Sequence, residues 1–152
     1  MSAVGLEGLE HTVQLTHVWI NELNDRLAWN DKSRSYRLLK AVLHAVRDRL
    51  SVDDSAHLAA QLPTLLRGVF YEQWRPSAVP NKRRTLNEFI EDIGASFRMD
   101  RPENLSGAVM EALKVIAHKV TAGEIAKVRH AMPEEIRSFW PEPYVAPGAA
   151  VR

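Results

Sequence analysis

The chain predicts an all-α protein: two pseudo-symmetric four-helix repeats packed as one helical-bundle domain. Three observations carry that prediction. The first is an internal match at a constant offset of 70 residues, which sets Ile20 on Ile90, Leu43 on Leu113, Ala56 on Ala126, Pro63 on Pro133, Arg67 on Arg137 and Glu72 on Glu142. Conservative pairs fill the intervals, among them Trp19/Phe89, Leu27/Phe97, Val46/Ile116, Phe70/Trp140 and Trp74/Tyr144, and no gap is needed from residue 16 to residue 74. A fixed period of this kind marks a supersecondary unit used twice. The second observation is apolar spacing of three and four, the period of a helix, with no convincing alternation of two. The third is punctuation, because prolines and capping residues fall where the apolar runs begin and end.

The first helix runs from about Leu9 to Ala28, on the stripe Val13, Trp19, Ile20, Leu23 and Leu27. Asn30 or Asp31 caps a second helix with an inner face of Leu39, Val42, Leu43, Val46 and Leu50. Ser51 opens a short third helix, with Asp53 and Asp54 in the first turn where the helix dipole favours negative charge. That helix ends before Pro63, since proline disfavours helical dihedrals in the residue preceding it. Pro63 then suits the first position of a fourth helix reaching about Trp74, because its missing N–H would be unbonded there anyway.

The second copy repeats the pattern. Thr85-x-x-Glu88 and Thr121-x-x-Glu124 read as capping boxes opening the fifth and seventh helices. Asp100 and Pro102 mark the start of the sixth, whose inward face is Leu105, Val109, Ala112, Leu113, Ile116 and Val120. Pro133, Glu134 and Glu135 open the eighth. Within one domain spanning residues 1–152, repeat 1 covers 9–75, a basic linker with Lys82, Arg83 and Arg84 covers 76–84, and repeat 2 covers 85–144. The proline-rich tail packs through Tyr144 and is flexible over 145–152.

Composition narrows the function classes. A formal charge of +1, spread evenly along the chain, lacks the basic surplus of most nucleic-acid binders. The absence of cysteine removes disulfides, thiol nucleophiles and thiolate metal sites. The N-terminus shows neither the positive nor the apolar region of a secretory signal, and no apolar run approaches the ~20 residues that span a bilayer, so a cytoplasmic protein is expected.

Several spaced motifs point further. Leu62-Pro63-x-x-Leu66-Arg67, Phe70-Tyr71-Glu72-x-Trp74-x-Pro76 and Glu88-Phe89-Ile90 are joined in the second half by Gly123-Glu124-Ile125-x-x-Val128, Met132-Pro133-x-x-Ile136-Arg137 and Trp140-Pro141. Together they resemble a bacterial family known as domain of unknown function 2267, over roughly residues 10 to 144. Two positions depart from its pattern: Met132 stands for a leucine, and Gln73 for a common glycine. The resemblance implies a duplicated helical fold in a bacterial cytoplasm and no assigned activity.

The residues offer no catalytic constellation. The six histidines include no i, i+4 pair and no His-Glu-x-x-His motif, so no metal or other cofactor is expected. The adjacent acid pairs Asp53/Asp54, Glu91/Asp92 and Glu134/Glu135 point about 100° apart on a helix, which does not suit acid–base work. No phosphate-binding glycine motif or serine elbow is present, and an enzyme is not expected. Binding is assigned to the repeated aromatic and charged residues Arg67, Tyr71, Glu72, Trp74, Arg137 and Trp140, types that anchor interfaces. The favoured function is a non-catalytic module for self-association or for binding an unknown protein partner. The alternative is a small-molecule- or nucleic-acid-binding regulator that uses the inter-repeat groove or the cationic stripe Arg34, Arg37 and Lys40.

Overall fold

In the computed structural model, residues 3–142 are described, with side chains from residue 6 onward. Tyr144 and the tail at 145–152 lie outside the described residues. Among those described there are eight α-helices and no strand: α1 Ala3–Leu27, α2 Lys32–Arg47, α3 Val52–Ala59, α4 Thr64–Tyr71, α5 Leu86–Gly94, α6 Leu105–Lys119, α7 Ala122–Ala131 and α8 Glu134–Phe139. Short 3-10 turns occupy Pro76–Ala78 in the linker and Ala95–Phe97 after α5.

The caps explain most of the boundaries. Asp31, rather than Asn30, caps α2 by accepting the Arg34 N–H, while Asn30 takes a left-handed φ of 52° in the turn before it. That turn is pinned from inside, since Asn24 Oδ1 accepts both the Asp31 N–H at 3.0 Å and the Ser35 hydroxyl at 2.9 Å. Ser51 caps α3, and Thr85 with Glu88 forms a complete capping box at α5. The second expected box is only half formed: Thr121 accepts the Glu124 N–H, but its own N–H goes to Gln61 Oε1 at 2.9 Å. An amide from the first half of the chain thus replaces a local carboxylate.

Two further boundaries differ from expectation. Pro63 and Pro133 are N-caps rather than first helical residues, with extended backbones at φ −53° and −54°. Helix α6 begins after Asn104, whose side chain accepts the Gly107 N–H, and not at Asp100. Asp100 is drawn instead to arginines from α2.

One apolar cluster runs through both halves, with Leu23, Leu38, Leu39, Leu43, Phe70, Phe89, Phe97, Leu113, Ile125 and Ile136 all inaccessible to solvent. Helix α2 lies at its centre and packs on α1, α4, α5 and α6. The halves are also joined by an ion pair that is buried on its arginine side. Arg49, beyond the end of α2, donates through Nη2 to Asp92 on α5 at 2.7 Å and through Nη1 to the Ala45 carbonyl at 2.9 Å. The offset of 70 reappears in the short helices, since α3 and α7 begin at Val52 and Ala122, and α4 and α8 at Thr64 and Glu134. The leading helices diverge, with 25 residues in α1 against 9 in α5.

Candidate functional site

The repeated residues at the ends of α4 and α8 serve the fold directly. Arg67 donates from Nε to the Ala59 carbonyl at 2.9 Å and from Nη2 to Ala60 and Leu62 at 3.3 and 3.2 Å. Arg137 makes the same three bonds, to Arg129 at 3.2 Å, His130 at 3.1 Å and Met132 at 3.0 Å. Carbonyls at a helix C-terminus lack intrahelical donors, and each guanidinium supplies them for the end of α3 or α7. Both arginines are therefore committed internally.

Trp140 is buried, and its indole N–H has no acceptor among the described residues. Trp74 is half-buried with a buried, unpartnered indole N–H, and its ring lies 5.1 Å from that of Tyr71, which stands edge-on to Phe70 at 5.4 Å. Glu72 is exposed and sits 3.6 Å from Lys40. The carbonyls ending α4 are held from α2. Buried Arg47 donates to Phe70 and Glu72 at 2.8 and 2.7 Å, and His44 Nε2–H donates to Val69 at 2.7 Å. Burial pushes the His44 imidazole below its ordinary range, which keeps the ring neutral and this donor in place. Of the six residues assigned to binding, only Tyr71, Glu72 and Trp74 retain appreciable surface without a bond that fixes the fold.

The cationic stripe on α2 is likewise occupied. Arg34 donates to the Asp100 carbonyl at 2.6 Å, with its Nε 3.4 Å from Oδ2, and Arg37 donates to Oδ1 at 2.7 Å. The Arg37 hydrogen bond, above all, holds the Asp100 carboxyl below the usual carboxylate range. Arg34 also lies 4.3 Å over the Trp29 ring, and Arg37 lies 4.9 Å from Phe97. The spacing that suggested a phosphate-reading face thus anchors the segment between α5 and α6. In the linker, Arg83 is similarly taken up by Asp92 at 2.8 Å.

The histidines do not converge. Among the described residues no three His, Asp or Glu side chains are grouped to hold a metal ion. His118 approaches Glu22 at 2.9 Å. Burial opposes ionisation of Glu22, but hydrogen bonds from His118, Lys119 and Arg26 together outweigh it and lower the carboxyl's affinity for a proton.

What the motifs missed is the leading half of α1. Val13 was expected to face inward, yet it is 42% exposed, and Leu6 and Leu9 are exposed by 52% and 63%. Helix α1 begins six residues earlier than expected, at Ala3. The signal lies in its spacing: Leu6, Val13, Ile20 and Leu27 recur every seven residues, as do Leu9, Thr16 and Leu23. This is one continuous heptad seam. Its trailing half, from Thr16 to Leu23, is buried in the bundle, while Leu6, Leu9 and Val13 of its leading half are exposed among the described residues. Thr12, beside the seam, fixes its direction by accepting the Leu65 N–H of α4 at 2.8 Å.

The family described as an uncharacterized conserved protein (DUF2267) matches residues 16–139 of this chain. No curated protein matches it. No helix among the described residues is long and apolar enough to cross a membrane.

Proposed function

Because the chain belongs to the DUF2267 family, whose members are described only as uncharacterized conserved proteins, we propose its function from its own surface: a non-catalytic self-association module. The leading half of α1 pairs with the same segment of a second copy. The observation that carries this reading is the uncovered seam of Leu6, Leu9 and Val13, in heptad phase with residues that α1 already buries. A seam without charged residues disfavours a charged partner and suits another apolar seam of matching period. A second copy presents that seam by construction, and one patch serves both sides of a two-fold contact. Continuity with the intramolecular packing of α1 supports the choice, since one heptad stripe is buried from Thr16 to Leu23 and exposed at Leu6, Leu9 and Val13. In the same reading the two halves are copies of one four-helix unit, and the protein works in a bacterial cytoplasm.

Sedimentation equilibrium of the full chain tests this. The expected result is a reversible monomer–dimer equilibrium. Replacing Leu9 and Val13 by serine weakens it at least tenfold, a loss of about 1.4 kcal/mol or more, while the helical circular dichroism is retained. A wild-type chain that stays monomeric at its highest soluble concentration, or a double variant that dimerises equally well, would overturn the reading.

A further inference from the structure

A cleft of about 510 Å³ opens where the turn between α1 and α2 faces the segment entering α6. Its size falls within the range of small-molecule sites. It is lined by Arg26, Trp29 and Arg34 from the first half of the chain, and by Arg101, Asn104 and Glu111 from the second. We propose that this cleft binds a small organic oxyanion, carboxylate- or phosphate-bearing, with Arg101 as its principal cation.

Of the acids nearby, Glu103 lines the cleft from its exposed rim and makes no ion pair among the described residues. Glu111 is already engaged by Arg26 at 3.7 Å and by Lys114 at 3.3 Å. The single carboxylate of Asp100 serves both Arg34 and Arg37. Arg101 makes no ion pair or hydrogen bond among the described residues. Its Nη1 lies only 2.6 Å from where a Cβ on Gly94 would stand, so the absence of a side chain there makes room for the guanidinium.

Arg34 is fixed as well, stacked on Trp29 and anchored to Asp100, so it presents positive charge with little freedom left to lose. Gly107 and Ala108 of α6 give that wall small side chains. The cleft therefore combines a guanidinium with no ion-pair partner among the described residues, a second held rigid and an indole ring. Paired N–H donors in this arrangement match the oxygens of a carboxylate or phosphoryl group.

The proposal is independent of self-association, since the cleft lies away from Leu6, Leu9 and Val13. It is tested by titrating the full chain with citrate and, separately, with inorganic phosphate at low ionic strength, following the indole N–H of Trp29 by NMR. Saturable movement of that resonance is expected with at least one anion. Citrate alone would identify a carboxylate ligand, phosphate alone a phosphoryl one, and both a general oxyanion site. The exposed Arg101→Ala substitution should weaken the apparent affinity at least tenfold at unchanged thermal stability, with partial recovery in Arg101→Lys. Movement that never saturates with either anion, or equal affinity in Arg101→Ala, would overturn the proposal.

Discussion

Removing Asp92 should cost more than removing Arg49, although Arg49 is the larger and more deeply buried of the two. The side chain of Arg49 has no accessible surface, whereas Asp92 is 29% exposed and is also bonded to Arg83. Asp92→Ala leaves a guanidinium at the junction of the halves with only the Ala45 carbonyl and the Phe89 ring, 5.2 Å away, to compensate its lost hydration. Breaking a buried pair by deleting one partner costs ~3–5 kcal/mol. Water reaching the Asp92 side lowers that to roughly 2–3 kcal/mol here. Arg49→Met removes the charge itself and fills similar volume with apolar atoms, a change that is often neutral or stabilising. The lost bond to Ala45 limits the gain, so the expected cost is about 0–1 kcal/mol. Urea denaturation followed by tryptophan fluorescence would measure both. For a chain of this size Asp92→Ala should lower Tm by about 4–12 °C. A cost for Arg49→Met that equals or exceeds that for Asp92→Ala would refute the reasoning, because the pair would then contribute net attraction rather than compensation for burial.

Other perturbations probe other parts of the structure. Arg67→Ala and Arg137→Ala remove the same three carbonyl contacts, so equilibrium unfolding should show each losing about 1.5–3 kcal/mol, with the two values within ~1 kcal/mol of each other. Gln73 has a φ of 61°, a left-handed conformation that favours glycine, and Gln73→Gly should raise stability by several tenths to about 1 kcal/mol in the same assay. Stability should also fall with acid in two stages. The unfolded chain protonates His44 before the folded one does, so the contribution present above pH 6.5 is lost as pH drops from there through the lower folded value. Glu22 behaves alike below pH 4.5, and urea midpoints across pH should show His44→Gln flattening only the upper stage.

Local signals in the sequence are legible where the chain acts on its own neighbours. Asp31, Ser51 and Thr85 are caps because their oxygens reach an amide three residues on, a relation that spacing alone reveals. The deviation at Gln73, noticed as a departure from a family pattern, has a backbone cause in its positive φ. Where distant residues intervene, the local signal misleads. Thr121 has the right partner for a capping box, but Gln61 reaches its N–H first. The stripe of Arg34, Arg37 and Lys40 is real as a helical face, yet nothing near it in sequence discloses that Asp100 and Glu72 pair with it. The repeated Arg67 and Arg137 marked an important position, but a guanidinium aimed at helix-end carbonyls leaves the same trace in a sequence as one aimed at a partner. Periodicity in α1 likewise fixes a helix and its apolar face, without saying where the rest of the bundle stops covering it.

The proposed self-association can be tested most directly by cross-linking, because the natural chain contains no cysteine and one introduced thiol reports one location. Leu9→Cys is compared with Met99→Cys, whose position is 96% exposed and remote from the seam. Under mild oxidation at equal concentration, Leu9→Cys should form a disulfide-linked dimer at least tenfold faster than Met99→Cys, despite its lower accessibility. Equal rates, or faster dimer formation through Met99→Cys, would mean that collision rather than a specific contact brings the chains together, and would contradict a function based on the α1 seam.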